Sequence, residues 1–327
     1  MRRWLVALTL LLSLTGLAGF GAIHLYRAPG PLPAPRAVMV PRGGLERVGA
    51  ALRDAGVIRS PLAFRIAALA TYRAGPVHAA EFAFPAGASL QQVLAVLRTG
   101  RPVQHRLTIP EGLTSAEIAA LVAAADALAG DPPVPPEGAV LPQTYDYERG
   151  TTRETLLARA HAALLRALDR AWAERDPALP FTGPDQALTL ASIVEKETAK
   201  PDERPRVAAV FLNRLRLGMK LQSDPTVVYG ASGGLGTLDR KLSRADLDRD
   251  DAYNTYRNPG LPPGPICNPG IASILAVTRP AQTSDLYFVA DGSGGHAFAA
   301  TLPEHLRNVA RYRALEQHPP ERAHPGG

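Results

Sequence analysis

The chain has 327 residues, 46% of them hydrophobic and 20% charged, enough to form about two folded units and an additional segment. Its formal net charge of +6 is spread among Asp and Glu, with no helix-turn-helix, zinc-finger spacing or RNP-like aromatic run. That excludes a nucleic-acid-binding module and leaves a mixed-charge surface, one that also suits an anionic polymer. One cysteine, Cys267, rules out an intramolecular disulfide, and eight scattered His residues without HExxH or CxxC give no metal motif, so no cofactor or metal is expected.

Met1-Arg2-Arg3 precedes an uncharged run from Trp4 to Ile23, followed by His24, Tyr26 and Arg27. Twenty residues at about 1.5 Å each reach about 30 Å, the hydrocarbon thickness of a bilayer. Residues 1–27 are therefore expected to form a cytoplasmic N-terminus and a single membrane anchor. The basic pair keeps the N-terminus inside and the remainder outside. A cleaved signal peptide is the alternative. Leu17-Ala18-Gly19 offers small residues for cleavage, but the apolar run exceeds the usual h-region of about 7–15 residues. Residues 28–37 (APGPLPAPRA) hold four prolines and read as a semi-extended spacer.

A short pattern then recurs: Val40-Pro41-Arg42-Gly43, Phe84-Pro85-Ala86-Gly87 and Ile109-Pro110-Glu111-Gly112, each leading into apolar residues three or four apart. Each copy predicts a strand, a Pro/Gly turn and a helix, with Ser89 and Thr114 or Ser115 as N-caps. This gives a small α+β module over residues 38–135, closed by the Pro-rich run at 130–140. Beyond it, residues 136–316 predict a mainly helical domain. Its helices run from Thr152 to about Trp172, from Pro184 to about Lys200, and from Pro201-Asp202-Glu203 to Gly218. A strand at Asp285–Ala290 pairs as a hairpin with residues 294–298, and a last helix covers about Pro303 to Leu315. Residues 317–327 form a loose tail. The fold class is α+β.

The sharpest constellation is Ile193-Val194-Glu195-Lys196-Glu197-Thr198. Two glutamates two positions apart on a helix point about 200° apart and cannot act on one bond together. At about 100° per residue, Leu190, Ile193, Val194 and Glu197 fall near 0°, −60°, +40° and −20°, and Glu195 near 140°. Glu197 therefore sits in the apolar stripe, where desolvation raises a carboxyl pKa and suits it to general acid and base work. Glu195 fits a surface ion pair with Lys196 or Lys200, and remains the fallback catalytic residue.

Downstream, the stretches from Asn213 to Tyr229, Tyr253-Asn254-Thr255-Tyr256 and Gly260 to Ile266 concentrate amides, hydroxyls and tyrosine rings. Amides and hydroxyls bond sugar hydroxyls, and rings cover the apolar sugar face. Gln222, Asp224, Tyr229, Asn254 and Tyr256 are the candidate substrate-binding residues. Each stretch taken alone is also ordinary turn chemistry, Asp224-Pro225 in particular.

The segments LASIVEKET (190–198), VFLNRLRLGMKLQSDPTVVYG (210–230), KLSRADL (241–247), YNTY (253–256), GLPPGPICNPG (260–270) and LYFVADGSGGHAF (286–298) occur in one order. Together they closely resemble the endolytic murein transglycosylases, the YceG-like or MltG family, over residues 38–315. The resemblance implies an inner-membrane, single-pass enzyme with a LysM-like module before a periplasmic catalytic domain. It implies a carbon–oxygen lyase that cleaves the MurNAc–GlcNAc bond within nascent peptidoglycan, leaves a 1,6-anhydro-MurNAc end and so terminates strand growth. Its partners would be glycan strands, with peptidoglycan synthases and elongation or division proteins as further candidates. Residues 193–198 also resemble the apolar–x–x–Glu–Ser helix of soluble lytic transglycosylases, with Glu197 at the Glu position and Thr198 at the Ser position. A muramidase-type hydrolase with Asp224 as second carboxylate, and a non-catalytic wall-binding scaffold, are the alternatives.

Overall fold

The structure is a computed structural model that describes residues 2–317. It is a helix-rich α+β protein with small two-stranded sheets. Two compact units divide the chain. The first takes the residues up to His105 together with Asp146–Gly150, and the second takes Arg106–Tyr145 and the chain from Thr151. This division differs from the break read near residue 135. The tail expected after Gln317 lies outside the described residues.

The first unit opens with α1 (Arg2–Arg27), of which Leu8–Arg27 is long and apolar enough to cross a membrane. After the spacer come β1 (Arg36–Met39), α2 (Leu45–Asp54), α3 (Pro61–Ala70), a 3-10 turn at Tyr72–Ala74, β2 (Glu81–Phe84) and α4 (Leu90–Thr99). β1 and β2 pair antiparallel, Arg36 opposite Phe84 and Met39 opposite Glu81. The core gathers Leu52, Phe64, Phe82, Phe84, Leu94 and Leu97, all fully buried. Local signals start the helices where the residues suggest. The Ser60 hydroxyl accepts from Ala63 N at 3.2 Å with Pro61 opening α3. Ser89 and Gln92 form a reciprocal capping box on α4, with bonds of 2.9 and 3.3 Å. Gly87, at φ +62°, makes the turn between β2 and α4 in a conformation that a side chain would strain.

In chain order, β3 (Gln104–Thr108) follows, then α5 (Ser115–Ala123) and β4 (Thr144–Glu148), which pairs with β3. The third Pro/Gly copy lies between β3 and α5, with Gly112 at φ +77° and a Thr114/Glu117 capping box, and it belongs to the second unit. The rest of that unit comprises α6 (Arg153–Ala173), α7 (Pro184–Glu197), α8 (Arg204–Arg216), α9 (Asp224–Ala231), α10 (Arg244–Leu247), α11 (Ile271–Thr278), β5 (Tyr287–Ala290), β6 (His296–Ala299) and α12 (Leu302–Gln317). β5 and β6 form the expected antiparallel hairpin, Phe288 opposite Phe298 and Ala290 opposite His296.

α7 is the central helix. Eight consecutive residues from Ala187 to Val194 are buried, packed against α8 and α11 through Val207, Phe211, Ile274 and Val277. It ends at Glu197, three residues earlier than its periodicity suggested. Thr198 turns extended and its hydroxyl accepts from Lys200 N at 3.1 Å, while Pro201 disfavours a helical residue before it. Asp224-Pro225, read as a turn, instead opens α9. Proline in the first turn lacks only an N–H that has no helical partner there.

Candidate active site

The last turn of α7 directs its two glutamates to different environments. The Glu195 side chain is 5% exposed and fully engaged. It accepts from Gly270 N at 2.9 Å and Ser273 Oγ at 2.7 Å, tying down the start of α11, and pairs with Arg204 at 3.2 Å. Both carboxylate oxygens are thereby committed to partners within the fold.

Glu197 ends the helix half-buried, and its Oε1 accepts the Ser223 hydroxyl. Burial pushes its carboxyl up from 4.5 to about 7. The Ser223 hydrogen bond opposes the rise, the Asp224 charge adds to it, and His296 and Arg214 oppose it. Near neutral pH this carboxyl is therefore about half protonated, able to donate a proton and take one back. It borders an open recess of ≈ 380 Å³ together with Thr198, Ala199, Ala290, His296 and Tyr312.

The YNTY segment braces the loop that carries Gln222, Ser223 and Asp224, and its residues have separate tasks. Thr255 O accepts Gln222 N at 3.2 Å, and Thr255 Oγ1 accepts Ser223 N at 3.0 Å. These bonds hold Ser223, only 2% exposed, toward Glu197. The Tyr256 hydroxyl donates to Asp224 Oδ1 at 2.6 Å, and burial beside Asp224 and Glu197 pushes that phenol up. Gln222 is exposed with φ +52°, among the described residues the one non-glycine in the left-handed region, adjacent to Ser223. Backbone strain of this kind gathers where a turn must present a particular side chain.

Glu197, Asp224, Tyr256 and Gln222 thus belong to one neighbourhood. Asn254 and Tyr229 do not. Asn254 is 1% exposed; its Nδ2 donates to the carbonyls of Leu247 (3.0 Å) and Arg249 (2.8 Å), and its Oδ1 accepts Tyr256 N. It is a loop clamp rather than a wall of the cleft, because a buried amide must spend its bonding capacity internally. Tyr229 has partners of its own elsewhere: its hydroxyl donates to Glu137 Oε2 at 3.2 Å and its ring packs on Tyr253, 4.8 Å between centroids.

Three residues that the sequence reading did not single out complete the surroundings. Arg214, 8% exposed, donates to Leu286 O (2.7 Å) and Leu221 O (2.6 Å) and lies over the Tyr287 ring. Its position was available from the pattern, since it follows Val207 and Phe211 on the buried stripe of α8. Ser223 precedes Asp224 and carried no distinct signal. His296 bonds Glu203 through both its backbone N (3.0 Å) and its Nδ1 (2.7 Å), which locks β6 to the start of α8. Among the described residues no group of three or more His, Cys, Asp or Glu side chains could hold a metal ion.

A helix-rich scaffold thus places one half-buried carboxyl of raised pKa beside an open recess. The YceG-like family model matches residues 38–311, and the chain belongs to that family. A Bacillus subtilis protein named endolytic murein transglycosylase is 43% identical over 125 residues, 38% of this chain and 34% of that protein. The Streptococcus pneumoniae D39 protein of the same name is 31% identical over 327 positions, covering 84% of this chain and 58% of the relative. The chain thus spans less than two thirds of the length of either. The crystal structure of a yceG-like protein from Listeria monocytogenes superposes with a TM-score of 0.51 at 28% identity, over 84% of this chain and 99% of the other.

Proposed function

We propose that the protein is an endolytic peptidoglycan lytic transglycosylase, a carbon–oxygen lyase that cuts the MurNAc–GlcNAc bond within nascent glycan strands and so ends their elongation. The observation that carries the proposal is the Glu197 carboxyl, raised to about 7 and hydrogen-bonded by Ser223 at the edge of the recess. Membership in the family and the names of the relatives support the substrate.

The chemistry balances with one carboxyl group. Protonated Glu197 gives its proton to the bridging oxygen as the bond from that oxygen to muramyl C1 breaks. The muramyl C6 hydroxyl oxygen then bonds to C1, and its proton passes to the Glu197 carboxylate, which returns to its starting state. Attack from within the same sugar gains effective concentration, and no second carboxylate has to activate water. Asp224, engaged by Tyr256, supplies negative charge beside a centre that becomes oxocarbenium-like. Gln222, exposed on its strained turn, is the residue we assign to sugar contact.

α1 serves as a single-pass inner-membrane anchor, with Arg2 and Arg3 on the cytoplasmic side and the catalytic unit in the periplasm. The strand–helix–helix–strand order of the first unit, with its outer strands paired, supports a LysM-like glycan-binding module. Strand cleavage by the full-length protein tests the assignment. Glu197→Gln abolishes cleavage while Glu195→Gln leaves measurable cleavage of whatever protein folds. Cleavage retained by Glu197→Gln contradicts the site, and cleavage unaffected by either change points to a scaffold.

A further inference from the structure

The outer face of α3 is apolar where a soluble helix would be charged. Phe64 and Ala68 point into the core, and on the opposite side Leu62, Ile66 and Leu69 recur at spacings of four and three, 56%, 59% and 59% exposed. Tyr72, 66% exposed, continues the strip beyond the helix end. A surface helix of a water-soluble module gains nothing from presenting such a stripe, and a contiguous patch of this kind marks a contact surface.

Two observations identify what covers it. The patch is continuous with the membrane-length helix. Ala22, Ile23 and Tyr26 of α1 line one apolar groove of ≈ 380 Å³ with Ala63, Ile66 and Ala70 of α3. α3 therefore lies at the level of the last turns of the span, where hydrocarbon gives way to headgroups. The charge around it is also of one sign. Arg59, Arg65 and Arg73 are exposed, Arg27 ends α1, and no Asp or Glu occurs anywhere from Ala55 to Ala80. An apolar stripe flanked by arginines, with a tyrosine at its end, is the pattern of a helix lying in the plane of an anionic membrane surface.

We infer that α3 rests on the outer leaflet of the bilayer that α1 crosses. Its Leu62–Ile66–Leu69 face enters the headgroup–acyl boundary and its arginines pair with lipid phosphates. The module then stands flush against the membrane instead of swinging on the spacer. This rests on the anchor reading of α1 and adds a second point of membrane contact.

The test uses the full-length protein in vesicles of phosphatidylethanolamine and phosphatidylglycerol, with the fluorophore NBD on one introduced cysteine. Cys267 is buried and takes no label. The positions are Ile66→Cys on α3, Leu14→Cys within α1, and Glu46→Cys on the exposed side of α2. The expected result is quenching by deep spin-labelled lipid at position 14 and by shallow spin-labelled lipid at position 66, neither at 46, with protection from aqueous iodide at 14 and 66. Lipid quenching at 14 with iodide quenching at 66 overturns the inference and leaves the anchor standing. Absence of lipid quenching at both 14 and 66 overturns both readings. Protection from iodide at 66 without lipid quenching assigns the face to a protein and also overturns the inference.

Discussion

Replacing Glu197 by Gln removes an ionisable group from a site where its charge is disfavoured, so the variant is inactive and also more stable at alkaline pH. Below 4.5 both the folded and the unfolded chain hold the proton and Glu197 resembles a neutral side chain. Between 4.5 and about 7 the unfolded chain has released its proton while the folded chain retains it, so wild-type stability falls as pH rises. Above 7 the loss is complete. The gap from 4.5 to about 7, at about 1.4 kcal/mol per pH unit, amounts to about 3 kcal/mol. Glutamine stays neutral throughout and its amide oxygen can still accept from Ser223. The groups facing Glu197 are Ser223, Asp224, His296 and Arg214, and all of them remain in the variant. Thermal unfolding of both proteins in detergent, followed from pH 4 to 9, is the assay. The variant should match wild type near pH 4 and exceed it by about 5–10 °C in Tm at pH 8 and above. Parallel profiles for the two proteins across the whole range would refute the raised carboxyl and the acid role built on it.

The remaining predictions divide the neighbourhood by sign. Asp224→Asn removes a charge that holds the Glu197 proton on, so the alkaline limb of the kcat–pH profile shifts to lower pH; a shift to higher pH contradicts the placement. Ser223→Ala removes a bond that favours the carboxylate, so the same limb moves to higher pH, with kcat measured on isolated glycan strands. Glu195→Gln leaves Arg204 without its buried charge partner and weakens the hold on Gly270 and Ser273, costing about 2 kcal/mol of stability in denaturant unfolding. Asn254→Ala releases three carbonyls and the Tyr256 backbone, lowering Tm and kcat together, and added substrate does not restore the rate.

Periodicity carried the reading a long way where burial follows from helical phase. The stripe through Leu190, Ile193 and Val194 placed Glu197 and Glu195 on different faces, but the surface ion pair expected of Glu195 with Lys196 or Lys200 does not form: its side chain is buried too, because α11 and Arg204 pack over that face and bond it through Gly270, Ser273 and the guanidinium. Ser89 and Thr114 start α4 and α5 because a capping hydroxyl and its Gln or Glu partner are local chemistry. Residue type alone did not separate a ligand-facing amide from a buried one. Asn254 and Gln222 are both polar amides in polar loops, and only tertiary packing makes one a clamp and leaves the other exposed. The Ser223–Glu197 bond and the placement of His296 depend on elements far apart in the chain, which no local pattern encodes. Arg214 was the accessible omission, since the phase argument used on α7 applies equally to α8.

The most direct measurement is mass spectrometry of the ends released when the full-length protein cuts purified glycan strands in heavy-oxygen water. Intramolecular attack by the C6 hydroxyl predicts new muramyl ends that lack the elements of water and carry no heavy oxygen, and no such ends from Glu197→Gln. Reducing muramyl ends that contain the heavy isotope would contradict the account, because water rather than the sugar's own hydroxyl would then have attacked C1.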